Sequence, residues 1–300
     1  MRVAIVSLSS CLGCQMVFLS LEEYLFTMIS ENNLTYAPFI VDSKDLSEAD
    51  LVLIEGAVRS GEDFRKAKEA RERAERIVAL GTCACHGGVQ GLADMFSMER
   101  LMRRRYEAGA SFDGEPQRVD RLLPLDSYIR VDAYLPGCPP PVGLFRSFLE
   151  FALAGTLPSR DGSSVCSECD VSGIGLPQPG PRRATDEPPV AGKCLLEQGY
   201  LCMGPLTRDG CGALCVSKFA IPCDGCRGPS DDVLLYGSKD PQEETLRRLV
   251  RATGKSPREV QDAIADPAHT FFRHCLAEPL LRRRRPGGTA PFMYRLGERE

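Results

Sequence analysis

The sequence predicts an α/β fold with an open, mostly parallel sheet, followed by an irregular, cysteine-rich region that ends in helices. In the first half, short apolar runs alternate with longer amphipathic segments, which is the βαβ pattern. After about residue 155 the composition shifts to Pro, Gly, Ser and Asp, and cysteines then return at close spacing. We therefore expect one domain at residues 1–155 and a second at 156–300.

Five short apolar runs, each bounded by turn residues, predict buried parallel strands. They lie at residues 3–8, 36–41, 51–54, 77–80 and 133–135. Between and after them, helices are predicted at about 16–30, 61–76 and 142–154, the last opened by prolines that a first helical turn tolerates. Two further helices are predicted at about 241–252 and 256–264, and the tail around Pro286 is expected to be extended.

Composition and charge exclude several classes of function. The formal net charge is -4 and the pI is about 5.6, so nothing favours a polyanion partner. The basic runs Arg103–Arg105 and Arg282–Arg285 are interpreted as solvated faces or docking rims, and we assign no nucleic acid to them. The apolar segments fall well short of the roughly 20 residues that a membrane span requires. With no signal sequence recognisable, we expect a cytoplasmic protein without a membrane span.

The cysteine content is the most informative feature. The chain has 14 cysteines, 3 histidines and no tryptophan. A reducing cytoplasm does not maintain disulfides, so cysteines at this density indicate metal or cluster ligation.

Four cysteines follow predicted strands in the first half. Cys11 and Cys14 follow the first strand, Cys83 the fourth, and Cys138 the last. Ligands bind at the carboxyl edge of an open α/β sheet, so these four thiolates are expected to converge there and fit a cubane cluster. Cys85 competes with Cys83 for one position. We choose Cys83 and interpret Cys85 as a buried apolar residue.

Eight more cysteines form two groups of four in the second half, while Cys85 and Cys275 stay unassigned. The groups are Cys166, Cys169, Cys194 and Cys202, and then Cys211, Cys215, Cys223 and Cys226. Structural zinc is the alternative, because it also accepts four cysteines. Three groups of four, one of them spread across a sheet edge, favour iron-sulfur clusters over zinc or disulfides.

The first four cysteines lie in motifs that resemble the small subunit of nickel-iron hydrogenases. These motifs are Cys11-x2-Cys14, Glu55-Gly56-Ala57-Val58, Gly81-Thr82-Cys83-Ala84 and Pro136-Gly137-Cys138-Pro139-Pro140. The resemblance covers about residues 1 to 228. It implies a flavodoxin-like domain whose proximal 4Fe-4S cluster is held by Cys11, Cys14, Cys83 and Cys138. That cluster would face a nickel-iron centre bound wholly by the large subunit.

The same resemblance assigns the remaining groups. The distal 4Fe-4S cluster would be held by Cys166, Cys169, Cys194 and Cys202, with Cys166 standing where periplasmic members have histidine. The medial cluster would be held by Cys211, Cys215, Cys223 and Cys226, and its fourth cysteine implies 4Fe-4S. The stretch from Cys194 to Pro205 is similar to the cytoplasmic methyl-viologen-reducing, deazaflavin-reducing and sulfhydrogenase group. The pair Gln15-Met16 departs from the family pattern, in which many relatives have a polar or acidic residue after the first two cysteines.

The resemblance implies an electron relay that is inactive alone. The partner would split dihydrogen, and this chain would carry electrons to a further flavin or iron-sulfur subunit. The alternative is an electron-transfer module of a respiratory or formate-linked complex without a nickel site. Its quinone-reducing members have adjacent cysteines in the first motif, whereas Cys11 and Cys14 are separated. Glu55 and His86 have either a relay or a structural role, and His269 and His274 are interpreted as structural.

Overall fold

A computed structural model describes residues 1–31, 33–43, 45–106, 121–158, 162–171, 173, 182, 185, 187–234, 241–264 and 266–278. Contacts divide the chain into two compact units. The first contains the described residues within Met1–Arg160 and His274–Pro279, and the second those within Asp161–Arg273. No sequence signal indicates that the segment from His274 belongs with the first unit. The run Arg282–Arg285 and the tail around Pro286 lie outside the described residues.

The first unit is built on a five-stranded parallel sheet with the order β2-β1-β3-β4-β5. The strands are β1 Val3–Ser7, β2 Leu34–Tyr36, β3 Ala49–Glu55, β4 Ala74–Leu80 and β5 Ala133–Leu135. This is the flavodoxin-like order, in which the direction of winding reverses between β1 and β3. Ligands bind at the carboxyl ends of the strands beside that reversal, so the fold positions a site where β1 and β3 end.

Helices cover both faces of this sheet, which confirms the predicted fold class. They are α1 Gly13–Leu19, α2 Glu23–Ser30, α3 Gly61–Arg73, α4 Gly81–His86, α5 Met98–Arg105 and α6 Val142–Leu153. On one face, Phe18 of α1 and Phe145 of α6 pack with their ring centroids 5.7 Å apart above buried strand residues. On the other face, the small side chains Ala67 and Ala70 let α3 approach the sheet.

Two predicted elements differ from the structure. The strand predicted at 36–41 is wrong beyond Tyr36, because Pro38 lacks the N–H that a ladder needs and the chain turns instead, with Ile40 N–H donating to Ala37 O at 2.8 Å. The helix predicted at 16–30 is two helices, since Glu22 has a φ of 50°.

The second unit has little regular structure around its cysteines and ends in helices. Its helices are α7 Leu214–Phe219, α8 Asp231–Leu234, α9 Pro241–Thr253, α10 Pro257–Asp262 and α11 Pro267–Phe272. Ser256 caps the N-terminus of α10, because Ser256 Oγ accepts the Glu259 N–H at 3.3 Å and Glu259 caps in return. Among the described helices, none has the length and apolar character to cross a bilayer.

Candidate metal centres

The four cysteines of the first unit meet at the carboxyl edge of the sheet. Cys11 lies in the turn after β1, Cys14 in α1, Cys83 in α4 and Cys138 after β5. Burial raises the pKa of the Cys14 thiol, and the charges of Glu55, Cys83, Cys138 and Cys11 raise it further. Segments far apart in the chain therefore bring their thiols within electrostatic reach of one another.

Three of these thiols, Cys14, Cys83 and Cys138, have a raised pKa. Burial, then the charges of Cys138 and Cys11, raise the pKa of Cys83 to about 12. Burial and Cys11 raise the pKa of Cys138 as well. Four thiolates can share this site only if a cationic group compensates their charge, and thiolate is the form that ligates metal.

Glycines leave the space around these sulfurs open. A Cβ added at Gly81 would overlap Cys14 Sγ, and one at Gly88 would lie 2.6 Å from Cys83 Sγ. A Cβ at Gly13 would lie 3.3 Å from Cys11 Sγ. Four thiols with backbone this close fit a 4Fe-4S cluster, whose sulfurs accept backbone hydrogen bonds. Within the described ranges, no group of three or more His, Cys, Asp or Glu residues could hold a single metal ion.

Cys83 and Cys85 have different surroundings. Cys85 is 1% exposed in the core beneath the sheet, and its Sγ lies 3.2 Å from Ala79 O. Cys83 is partly exposed, receives a hydrogen bond from Gln90 and interacts with Cys138. The geometry supports Cys83 as the ligand, and the assignment stays a prediction.

Glu55 is a buried carboxylate at the end of β3, and only 1% of it is exposed. Its Oε1 accepts hydrogen bonds from Ser7 Oγ at 2.9 Å, Ser10 Oγ at 3.3 Å and Gln15 Nε2 at 2.9 Å. Gln15 follows Cys14 in α1, so the network joins Glu55 directly to the thiol-bearing helix. The sequence indicated Glu55, but these partners become visible only when β1 and β3 pair.

His86 has a partner that sequence reasoning missed. Its Nδ1 lies 3.1 Å from Glu278 Oε2, and the imidazole is 1% exposed. The neighbouring glycine accommodates this contact, because a Cβ at Gly87 would overlap Ala277 Cβ. The segment from His274 is thereby fixed against α4, which carries Cys83. The two partners are 192 positions apart in the sequence, so no local pattern indicates the pair.

In the second unit, the first cysteine group comes together. Burial, followed by the charges of Cys202, Cys169 and Cys194, raises the pKa of Cys166 to about 12. A Cβ at Gly204 would lie 3.3 Å from Cys166 Sγ and 3.6 Å from Cys202 Sγ. This donor set, with its glycine, repeats the chemistry of the first unit.

The second cysteine group lies beside the first. Burial and the charge of Cys211 raise the pKa of Cys215, as does Asp224, which stands between Cys223 and Cys226 in the sequence. The Cys223 pKa is raised by burial, then by Cys202 and, more weakly, by Cys226.

One hydrogen bond joins the two groups, since the Cys223 N–H donates to Cys202 Sγ at 3.3 Å. Because Cys223 contacts Cys202 of the other group, the contacts do not separate the two sets of ligands. The division of these eight cysteines into two groups of four remains a prediction.

Known proteins resemble this chain over most of its length. A family model described as the 20 Kd subunit of NADH ubiquinone oxidoreductase matches residues 11–150. A subunit of the F420-non-reducing hydrogenase vhu of Methanococcus voltae is 34% identical over 272 residues, covering 88% of this chain and 92% of the relative. The iron-sulfur subunit of the F420-non-reducing hydrogenase of Archaeoglobus profundus is 33% identical over 279 residues, covering 79% and 85%.

Solved structures give a partial likeness. A chain of the NAD+-reducing NiFe-hydrogenase in its H2-reduced state has a TM-score of 0.49 and 31% identity, covering 53% of this chain and 94% of that chain.

Proposed function

The chain belongs to the family of nickel-iron hydrogenase small subunits that includes the iron-sulfur subunits of F420-non-reducing hydrogenases, and we propose that it relays electrons through three 4Fe-4S clusters. It is an electron-transferring subunit of an oxidoreductase complex, which implies a hydrogenase large subunit as its partner. A bound 4Fe-4S cluster takes up and releases one electron at a time.

The proposal assigns each group of thiols to one cluster. Residues 1–155 would hold the proximal cluster through Cys11, Cys14, Cys83 and Cys138. Residues 156–300 would hold the other two. Their ligands would be Cys166, Cys169, Cys194 and Cys202 for the distal cluster, and Cys211, Cys215, Cys223 and Cys226 for the medial cluster. The proposal depends above all on the convergence of four thiols from three separate chain segments at the carboxyl edge of the sheet.

Residues beside the cysteines determine the hydrogen bonds and the charge around each cluster. Glycines beside the thiols admit backbone N–H groups to hydrogen-bonding distance, and hydrogen bonds to cluster sulfurs raise a reduction potential. In the first unit, Glu55 has the opposite effect, because its negative charge beside Cys14 favours the oxidised state. These opposing groups are the means by which the protein sets the potential.

Partners beyond the large subunit belong to the proposal. The nickel-iron centre would lie in the large subunit, and electrons would pass on to a flavin or iron-sulfur subunit. Fourteen cysteines favour a reducing cytoplasm as the location. Neither composition nor charge favours a nucleic-acid partner.

The test is the Cys138→Ala variant in the anaerobically purified complex. We expect loss of dihydrogen-dependent dye reduction, because one proximal ligand is removed, while the spectra of the other two clusters persist. The control is Cys85→Ala, which removes a core thiol and should retain activity. Full dye reduction by Cys138→Ala would contradict the proposal.

The alternative is an electron-transfer module of a respiratory or formate-linked complex without a nickel site. One observation favours it, since the family model that matches residues 11–150 is named for a respiratory subunit. The hydrogenase assignment is preferred because the two F420-non-reducing hydrogenase relatives match 79% to 88% of this chain. Purification with untagged neighbours distinguishes the two, since only a hydrogenase yields a nickel-containing partner.

A further inference from the structure

A carboxylate beside the first cysteine group of the second unit binds the backbone of the second group. Glu168 immediately precedes Cys169. Its Oε1 accepts the Gly210 N–H at 2.8 Å, and its Oε2 accepts the N–H groups of Cys211 at 3.1 Å and Gly212 at 2.9 Å. Three successive amides therefore donate to one side chain.

This arrangement of amides requires glycine on both sides of Cys211. Gly210 has a φ of 97° and Gly212 a φ of 64°, a region that side chains disfavour. Successive N–H groups turned to one side in this way form an anion-binding concavity. Here the anion comes from the chain itself, because Glu168 lies 44 residues before Gly212. Hydrogen bonds to an ionised acceptor are stronger than neutral ones, so this contact can hold an otherwise irregular loop.

We propose that Glu168 is a positioning residue that fixes the Cys211 thiol relative to the Cys166–Cys169 loop, so that the two ligand groups assemble together. This inference rests on the proposed function, since it takes Cys169 and Cys211 as cluster ligands. A second contact links the same two groups, because the Cys223 N–H donates to Cys202 Sγ.

The contact of Glu168 with the three amides also affects the reduction potential of the clusters. While Glu168 accepts the three amides, those N–H groups are not donated to cluster sulfurs. The carboxylate also places a negative charge beside both groups. Hydrogen bonds to sulfur and removal of nearby negative charge each raise a reduction potential, so Glu168 lowers it on both grounds.

The test is the Glu168→Gln variant in the complete, anaerobically purified complex, compared by redox titration followed by electron paramagnetic resonance. Glutamine keeps the size of the side chain, but its NH2 group would face an amide donor. We expect a shift of a second-unit cluster to more positive potential and faster loss of iron to a chelator. Glu168→Asp restores the charge and should bring the potential back toward that of the unmodified protein. Its side chain is one carbon shorter and holds the three amides less well, so its loss of iron should stay faster.

The matched control is Asp170→Asn, which removes one charge on the other side of Cys169. Asp170 is exposed, and it has no hydrogen-bond partner among the described residues. Equal potentials and equal iron loss in Glu168→Gln and Asp170→Asn would overturn the inference. If Glu168→Gln does not accumulate, Glu168→Asp replaces it, and an unchanged chelation rate there would overturn the inference as well. The unmodified complex is measured first, because a protein without iron-sulfur signals contradicts the proposed function itself.

Discussion

At the scale of single residues, Glu55 has the clearest electrostatic effect on the first thiol group. The carboxylate is buried, held by Ser7, Ser10 and Gln15, and it contributes to the raised pKa of Cys14. Its burial keeps water from screening the charge. The same charge should disfavour adding an electron to a cluster held by Cys14.

We therefore predict that Glu55→Gln makes the proximal potential more positive. Reduction adds negative charge, and the variant removes a nearby negative charge while keeping the side-chain volume. Redox titration of the proximal cluster measures the shift. The control is Glu48→Gln, since Glu48 is exposed at the other end of β3, roughly 20 Å along the strand. Equal potentials in both variants would refute this role of Glu55.

A pH dependence follows from the raised thiol pKa values in the protein without iron. Burial raises the pKa of Cys83 in the folded chain to about 12, against 9.0 for a free thiol. The unfolded chain therefore loses this proton first as the pH rises, so the contribution of Cys83 to stability is complete below about pH 9 and is lost toward pH 12.

This dependence is checked by measuring the free energy of unfolding of the iron-free chain and of its Cys83→Ala variant. We predict that the stability difference between the two falls steadily from pH 9 upward under anaerobic denaturation. The iron-loaded chain is the control, because its ligand is already a thiolate and its stability should not follow that titration. A difference that stays constant across this interval would show that the burial of Cys83 does not control its proton.

At the scale of elements, the loop between β4 and α4 shows how backbone and ligand depend on each other. Gly81 has a φ of 78° and opens α4, and its missing Cβ leaves room for Cys14 Sγ. We predict that Gly81→Ala reduces the iron bound in the first unit, because the new methyl group displaces that sulfur and strains the backbone. The effect is measured as the iron content per chain and as the intensity of the electron paramagnetic resonance signal of the proximal cluster.

The matched control is Gly143→Ala in α6. Nothing lies within 4 Å of a Cβ at Gly143, and alanine stabilises a helix by about 0.5–1 kcal/mol over glycine. This variant should keep its iron and unfold no more readily. If both variants bind iron equally, the close approach of Gly81 to Cys14 does not matter for assembly.

How well the sequence predicts an element depends on how local its signals are. The strands β1, β3, β4 and β5 and the helix α6 follow from apolar runs and proline, which act within a few residues. The short helices α4 and α7 carry cysteines and have no amphipathic period to indicate them. The break at Glu22 has no sequence signal that we can identify.

At the scale of the whole molecule, the sequence predicts which loops carry the thiols, because parallel strands end at one edge. It does not predict the contacts that fix those loops. The pairs Glu168 with Gly210–Gly212 and His86 with Glu278 join residues 42 to 192 positions apart. Such contacts depend on tertiary folding, and no local pattern encodes them.

The central claim is that twelve cysteines hold three 4Fe-4S clusters, and an iron and acid-labile sulfide assay of the anaerobically purified protein tests it most directly. Three clusters predict about twelve iron and about twelve sulfide per chain, with reduced-state paramagnetic resonance signals. A colourless protein that contains zinc and no labile sulfide would contradict the claim.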